Sequence, residues 1–305
     1  MNKLSISRRA KILRLLCEGM SLRAISRAED VTLNTVMRLL VSAGNACWQF
    51  HDEKVRDVKA SRVQCDEVWS FVHAKAKNAP TSTRAGDPTI GDCWTWTAIE
   101  ADSKLLISYL VGGRDAEYAL TLMDDLRSRL VNRVQLTTDG HAPYLRAVEE
   151  SFGSDIDYSM LVKIYGAPSA SPEASRRYSP TECLGTRKHK ITGNPDPDHV
   201  SMSYVERQNL TMRMHIRRFT RLTNAYSKKL ENHAHAVALH ATFYNFVRQH
   251  ASLKKWTPAM AAGLTDRIWD MEDIVALIET REDAAPRKRG SYKPRQARPG
   301  KGDFK

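Results

Sequence analysis

Several absences narrow this chain before any motif is read. No apolar run approaches the ~18–20 residues that a membrane-spanning helix needs, so the sequence argues against a membrane protein. The start, Met1-Asn-Lys-Leu-Ser-Ile-Ser-Arg-Arg9, has neither the apolar stretch nor the small-residue cleavage site of a secretory leader. A cytoplasmic location is the resulting expectation. The five cysteines (Cys17, Cys47, Cys65, Cys93 and Cys183) are odd in number, scattered, and never spaced as Cys-x-x-Cys. That pattern supports neither a disulfide framework nor a zinc knuckle, and it predicts buried, reduced thiols. No internal repeat is present. Acids are in deficit, with 35 Asp and Glu against 47 Lys and Arg, a formal charge of +12 and a pI near 9.5. Such an excess favours a polyanionic partner, and nucleic acid comes ahead of an anionic membrane because no amphipathic anchor is evident.

What is present suffices for a folded protein. A length of 305 residues corresponds to about two domains, and 42% hydrophobic with 8% aromatic residues fits a globular core. Residues 5–50 read as helical. Ile6, Ala10, Leu13, Leu16 and Cys17 recur at helical spacing and are closed by Gly19; Ser21 then caps a second helix with Leu22, Ile25 and Ala28 as its apolar face. Thr32 caps a third, in which Val36, Leu39, Leu40 and Ala43 repeat. Short helices joined by tight turns make a helix-turn-helix over residues 1–55. Its third helix would turn Asn34, Thr35 and Arg38 toward a DNA major groove.

After a polar stretch around His51–Ala60 the period changes. Val63–Phe71, Trp94–Ile99, Leu105–Val111, Val134–Thr138 and Tyr158–Ile164 read as strands, with helices at Asp115–Leu130 and Pro143–Phe152. The order βββαβαβ followed by helices describes an α/β fold, a mixed sheet with helices on its faces, over residues 60–280. Residues 166–201 are Pro-, Ser- and Gly-rich, carry Arg176-Arg177 and Arg187-Lys-His-Lys190, and read as a long loop insertion. Two helices are predicted beyond it, near Tyr204–Thr220 and Ser227–Arg248. The tail, 284–305, holds eight Lys and Arg against one Asp from Pro286 onward and reads as basic and disordered.

Three acids stand out by their settings. Asp66 lies in the apolar, β-favouring segment Arg62–Phe71, Asp139 closes Val134-Gln-Leu-Thr-Thr-Asp139 before Gly140-His141, and Glu206 sits on a predicted helix. Alone, Asp139 before Gly140 fits ordinary turn chemistry and Glu206 a solvated helix face, whereas Asp66 is harder to dismiss because burying an unpaired carboxylate is costly. Two strand-borne aspartates and a helix-borne glutamate can converge on a pair of divalent metals, and Mg²⁺ or Mn²⁺ prefers such oxygen ligands. Strand alternation places Glu67 on the face of Val63, Cys65, Trp69 and Phe71, opposite Asp66, Gln64 and Ser70. Glu67 therefore remains a second ligand or a neighbour of the ligands. Helical spacing from Glu206 puts Asn209, Arg213 and Arg217 on one face, a basic row suited to a DNA backbone. His141 could touch a phosphate or a metal-bound water. His233, His235 and His240 do not share one helical face and read as packing residues.

The blocks Gln64-Cys-Asp-Glu-Val-Trp69, Thr138-Asp-Gly-His141, Ser203-Tyr-Val-Glu-Arg-Gln-Asn209 and Asn245-Phe-Val-Arg-Gln-His250 resemble those of bacterial DDE transposases of the insertion-sequence-one family. The resemblance spans about residues 5–280. It implies a ribonuclease-H-like catalytic domain and a metal-dependent enzyme that cleaves DNA and transfers strands of a mobile element. By the same resemblance Asp66, Asp139 and Glu206 would be catalytic and bind two Mg²⁺ or Mn²⁺ ions. The expected partner is double-stranded DNA, both element ends and target, held by a homo-oligomer. The competing reading is a helix-turn-helix DNA-binding regulator with a degenerate catalytic domain, which would need none of the three acids.

Overall fold

The protein is described by a computed structural model over residues 3–81, 86–166, 183–220 and 223–284. It begins with three helices, α1 (Ile6–Cys17), α2 (Leu22–Ala28) and α3 (Leu33–Lys54). Their starts are set by hydroxyl caps. Ser21 accepts the N–H of Ala24, and Thr32 accepts that of Thr35, each satisfying a backbone donor the helix cannot. Gly19 makes the turn between α1 and α2 at φ +77°, and a Cβ there would lie 2.6 Å from the carbonyl oxygen of Met214. Glycine is thus required twice, for its backbone angle and for a close approach.

Next comes a six-stranded mixed sheet of β1 (Arg62–Val72), β2 (Gly91–Glu100), β3 (Leu106–Gly112), β4 (Gln135–Thr138), β5 (Asp157–Tyr165) and β6 (Cys183–Thr192). The spatial order is β3-β2-β1-β4-β5-β6. β1, β4 and β5 run parallel, while β2 is antiparallel to both β1 and β3. This is the ribonuclease-H-like arrangement the sequence led us to expect. The helices α4 (Ala116–Arg129) and α5 (Pro143–Phe152) form the crossovers on one face, burying Leu122, Leu126, Ala147 and Phe152 against Cys65, Trp96 and Leu136.

One sequence expectation is corrected here. The 166–201 stretch is not structureless throughout, because β6 lies inside it and pairs antiparallel with β5. Its residues are exposed on both faces, so no apolar alternation marked it as a strand. Its order comes from backbone bonds to β5. Residues 167–182, including Arg176-Arg177, and the basic tail from 285 onward lie outside the described residues.

The other face carries α6 (Ser203–His215) and α7 (Leu230–Thr242), followed by the short α8 (Pro258–Ala261) and α9 (Met271–Ala284). The N-terminal helices share one core with them, where Ile12, Leu13, Val36 and Leu40 pack with Val237, Ile274 and Val275. At Gly44 the backbones of α3 and α7 touch, since an added Cβ would meet Cβ of His235 at 2.4 Å. Arg129, 5% exposed, ties α3 to α4 by donating to the Val55 carbonyl (2.9 Å) and to Asp52 (2.9 Å) and Asp125 (2.7 Å). The helix expected to reach Arg248 ends at Thr242 and widens into a π turn, Phe243–Val247. There the Asn245 side chain accepts the N–H of Leu106 (3.0 Å) and donates to its carbonyl (2.9 Å), covering the β3 edge. Among the described residues no helix is long and apolar enough to cross a membrane.

Candidate active site

Parallel pairing of β1 and β4 sets Cys65 opposite Thr138, so the next residues, Asp66 within β1 and Asp139 just past β4, come side by side. β4 ends at Thr138. Asp139 begins the turn into α5, its Oδ1 accepting the His141 N–H at 2.9 Å. Asp66 Oδ1 accepts the Glu67 N–H at 2.9 Å, and its Oδ2 accepts a bond from Asn209 Nδ2 of α6 at 2.8 Å. Glu67 projects from the opposite face, where Arg114 Nε donates to its Oε2 at 3.1 Å. The two acids do lie on opposite faces of β1. Beyond the end of β4, however, no neighbouring strand separates the faces, and carboxylate oxygens of Asp66, Glu67 and Asp139 lie within 4.8 Å of one another.

Glu206 approaches from the first turn of α6. That helix has no side-chain cap of its own at Met202. Instead Gln64 Oε1, two residues before Asp66 on the same strand, accepts the N–H groups of Tyr204 (2.9 Å) and Val205 (3.1 Å). Glu206 lines the same cavity as Asp66, Arg114, Asp139, His141 and Lys163. Its carboxylate is ion-paired to Lys163 of β5, and it is not among the three acids clustered within 4.8 Å.

The electrostatics of the cluster follow from burial and like charge. Asp66 is pushed up to about 7, chiefly by burial, with the charges of Glu67, Asp139 and Glu206 adding to it. Burial likewise raises Glu67. His141 is lowered by burial and then by Arg114, which favours a neutral ring, and its Nε2 is buried without a hydrogen-bond partner. Arg114 also reaches Asp139 at 3.8 Å and lies 4.6 Å over the Trp94 ring. A hard divalent cation suits this donor set. Three carboxylates converge, and burial together with their like charges disfavours the ionised forms that a cation would stabilise.

Three residues here escaped sequence reading: Arg114, Lys163 and Gln64. Lys163 left a signal, as the single charge in the predicted strand Tyr158–Ile164. Conversely, the basic row on α6 does not form as expected. α6 stops at His215, Ile216 is extended, and Arg217 opens a separate 3₁₀ turn. Tertiary contacts stop the helix, because His215 Nδ1 donates to the Cys17 carbonyl at 3.0 Å and Ile216 enters the core around α1–α3. Asn209 is buried against Asp66, and Arg213 is half-buried one turn further on. At the start of α3, Asn34 and Arg38 are exposed and Thr35 is half-buried. His233 is held between Ser70 and Ser227, 3.1 Å from each hydroxyl, and His240 is 2% exposed, in keeping with packing roles.

Residues 3–40 match the family of homeodomain-like domains. No curated protein is significantly similar to the chain. Three solved structures show slight likeness. A piggyBac transposase synaptic complex with hairpin DNA is 9% identical, with 98% of this chain and 77% of that one covered and a TM-score of 0.38. A pre-cleavage Mos1 transpososome is 12% identical, with coverage of 52% and 60% and a TM-score of 0.20. A Mos1 strand transfer complex is 14% identical, with coverage of 78% and 77% and a TM-score of 0.21. Likeness of that order carries no argument about this chain. What stands is a homeodomain-like helical region followed by a mixed sheet with flanking helices.

Proposed function

We propose that the chain is a metal-dependent DNA transposase of the DDE type, similar to the insertion-sequence-one family, that cleaves and joins phosphodiesters. The observation that carries this reading is the meeting of Asp66, midway along β1, with Asp139 just past the end of the neighbouring parallel β4, with Glu206 of α6 on the same cavity. Asp66, Asp139 and Glu206 would hold two Mg²⁺ or Mn²⁺ ions, with Glu67 beside them. Bound there, such ions stabilise the attacking and leaving oxygens at a phosphodiester.

The chain's own residues supply the rest. Asn209 fixes one oxygen of Asp66 and so orients the other. Arg114 and Lys163 hold positive charge at the cavity and neutralise Glu67 and Glu206. Both can turn to a phosphate oxygen when cations take over the carboxylates. His141 lines the same cavity, its ring packed against Trp96 and Tyr144. The helix-turn-helix presents Asn34, Thr35 and Arg38 to base edges, which separates recognition from chemistry.

The test incubates the full chain with duplex DNA carrying the sequences that flank its gene, with and without Mg²⁺. Joined as well as cut products are expected. Cut products alone would make it a nuclease, and sequence-preferring binding with neither product would make it a regulator.

A further inference from the structure

Among the described residues β6 is the uncovered edge of the sheet. At the opposite edge β3 is covered, by Asn245 at Leu106 and by His51 Nε2 donating to the Ile107 carbonyl at 3.0 Å. Among the described residues β6 pairs with β5 alone, and its residues are largely exposed on both faces. Charge on such an edge has an ordinary use, since it discourages pairing with another chain. Two observations ask more of it.

The first is basic charge with little counter-charge. The strand Cys183-Leu-Gly-Thr-Arg-Lys-His-Lys-Ile-Thr192 contains three cations and no acid. Among the described residues none of Arg187, Lys188 and Lys190 forms an ion pair. Lys188 and Lys190 donate only to neutral oxygens, the Pro197 carbonyl and, at 3.0 Å, Asn194 Oδ1. Lys190 helps to lower Asp157 of β5 through its charge without pairing to it, so most of the strand's basic charge still meets solvent.

The second is register. Cys65, Thr138, Met160 and His189 lie on one line across β1, β4, β5 and β6. One step along, Asp66 and Asp139 line up with Leu161 and its partner Lys188. Strands lie about 4.8 Å apart, so Lys188 is two strand spacings, about 10 Å, from the end of β4. Residues directly opposite in an antiparallel pair project to the same face. Leu161 with Lys188, Lys163 with Thr186, and Ser159 with Lys190 are such pairs. Lys163 contacts Glu206 of α6, so Lys188 and Lys190 stand on the face of Asp66 and Glu206, with Lys163 between.

We propose that β6 is a phosphate track. A DNA strand with its reacting phosphate at Asp66 and Asp139 crosses β5 past Lys163 and is held on β6 by Lys188 and Lys190, with Arg187 reaching it from the strand's other side. At about 3.4 Å of rise per nucleotide, the 10 Å offset places these contacts about three nucleotides from the reacting bond. Backbone contacts of this kind position a strand and carry no base preference. The proposal rests on the transposase reading above.

The experiment compares the full chain with its R187Q/K188Q/K190Q variant and with a control, R127Q/R146Q, which removes the half-buried charge of Arg127 on α4 and the exposed charge of Arg146 on α5. Binding to a duplex is measured as log K against log salt, with thermal melts to check folding. The triple variant should bind with a slope shallower by about 0.9 for each phosphate it no longer neutralises, with two to three such phosphates in all, and retain its preference for matched over scrambled DNA. A photo-crosslinker at K188C, in a C183S background, should mark nucleotides two to four from the cut. If the parent binds and cuts DNA but the triple variant keeps its slope, or the crosslink falls elsewhere, this inference fails alone. If the parent binds no DNA, the transposase reading fails and takes the track with it.

Discussion

Asn209 and Asp66, 143 residues apart in the chain, are joined by a 2.8 Å hydrogen bond from the amide of one to Oδ2 of the other. The bond spans the two elements that a working site must hold in register, β1 and α6. Groups that orient a ligand typically matter by about 10- to 100-fold in metal affinity or activity. Asn209→Ala is therefore expected to cut the cleavage rate by that factor and to shift the Mg²⁺ requirement upward, with DNA affinity unchanged. An unaltered Mg²⁺ titration would leave the bond a packing detail.

The acids themselves should separate chemistry from recognition. Asp66→Ala, Asp139→Ala and Glu206→Ala are each expected to abolish cleavage and leave duplex binding intact. Any one of them that cleaves at near-parent rates removes that residue from the site. Asp66→Asn should also raise the melting temperature by several degrees at neutral pH without metal, because it removes a charge that burial and three neighbouring acids oppose. Differential scanning calorimetry reads that gain directly.

Gln64 gives a prediction of a different kind. Its side-chain oxygen takes two N–H groups at the start of α6, the work usually done by a capping Ser or Asp. Gln64→Ala should cost about 1 kcal/mol of stability and slow cleavage, since the helix that presents Glu206 loses its anchor. Gln64→Glu keeps an acceptor and should recover the stability. A melt showing no loss for the alanine variant would contradict the cap.

Acidification should destabilise the fold through buried histidines. Burial lowers His51 to about 4 and His233 and His240 to about 3, against about 6.5 in the unfolded chain. Above pH 6.5 both states hold these rings neutral, so the contribution to stability is complete there. As pH falls from 6.5 toward 4 the unfolded chain takes up protons that the native state refuses, and stability drops. Melting temperature measured from pH 8 to 4 should fall most steeply in that window. His233→Asn, which removes one such ring, should flatten the decline, and an unchanged profile would place the acid sensitivity elsewhere.

At the other end of the molecule, Arg38 is exposed on the first turns of α3. Removing one side chain from a base edge costs roughly 1–3 kcal/mol. Arg38→Ala in the full chain should weaken binding to the preferred sequence by about that much and narrow the gap from scrambled DNA. Equal weakening on both would make it a phosphate-binding residue.

What the sequence determined by itself was local. Apolar periodicity placed α1 to α5 and the first five strands, because a helix or strand face repeats within a few residues. Ser21 and Thr32 announced their helices because a cap acts over three residues. Asp66, Asp139 and Glu206 were legible as unusual acids in their settings, as was the alternation that sends Glu67 the other way. Tertiary structure decided how these parts meet. β6 takes its order from β5, so its exposed, basic sequence carried no strand signal. α6 ends at His215 because of a bond to Cys17, which displaced Arg217 from the row that helical spacing had drawn. Glu67 approaches Asp66 and Asp139 because β4 stops one residue short of the cluster. Lys163 and Arg114 enter the cavity through pairings 43 and 47 residues long. Interactions at that range depend on which strands lie side by side, and no local period records that.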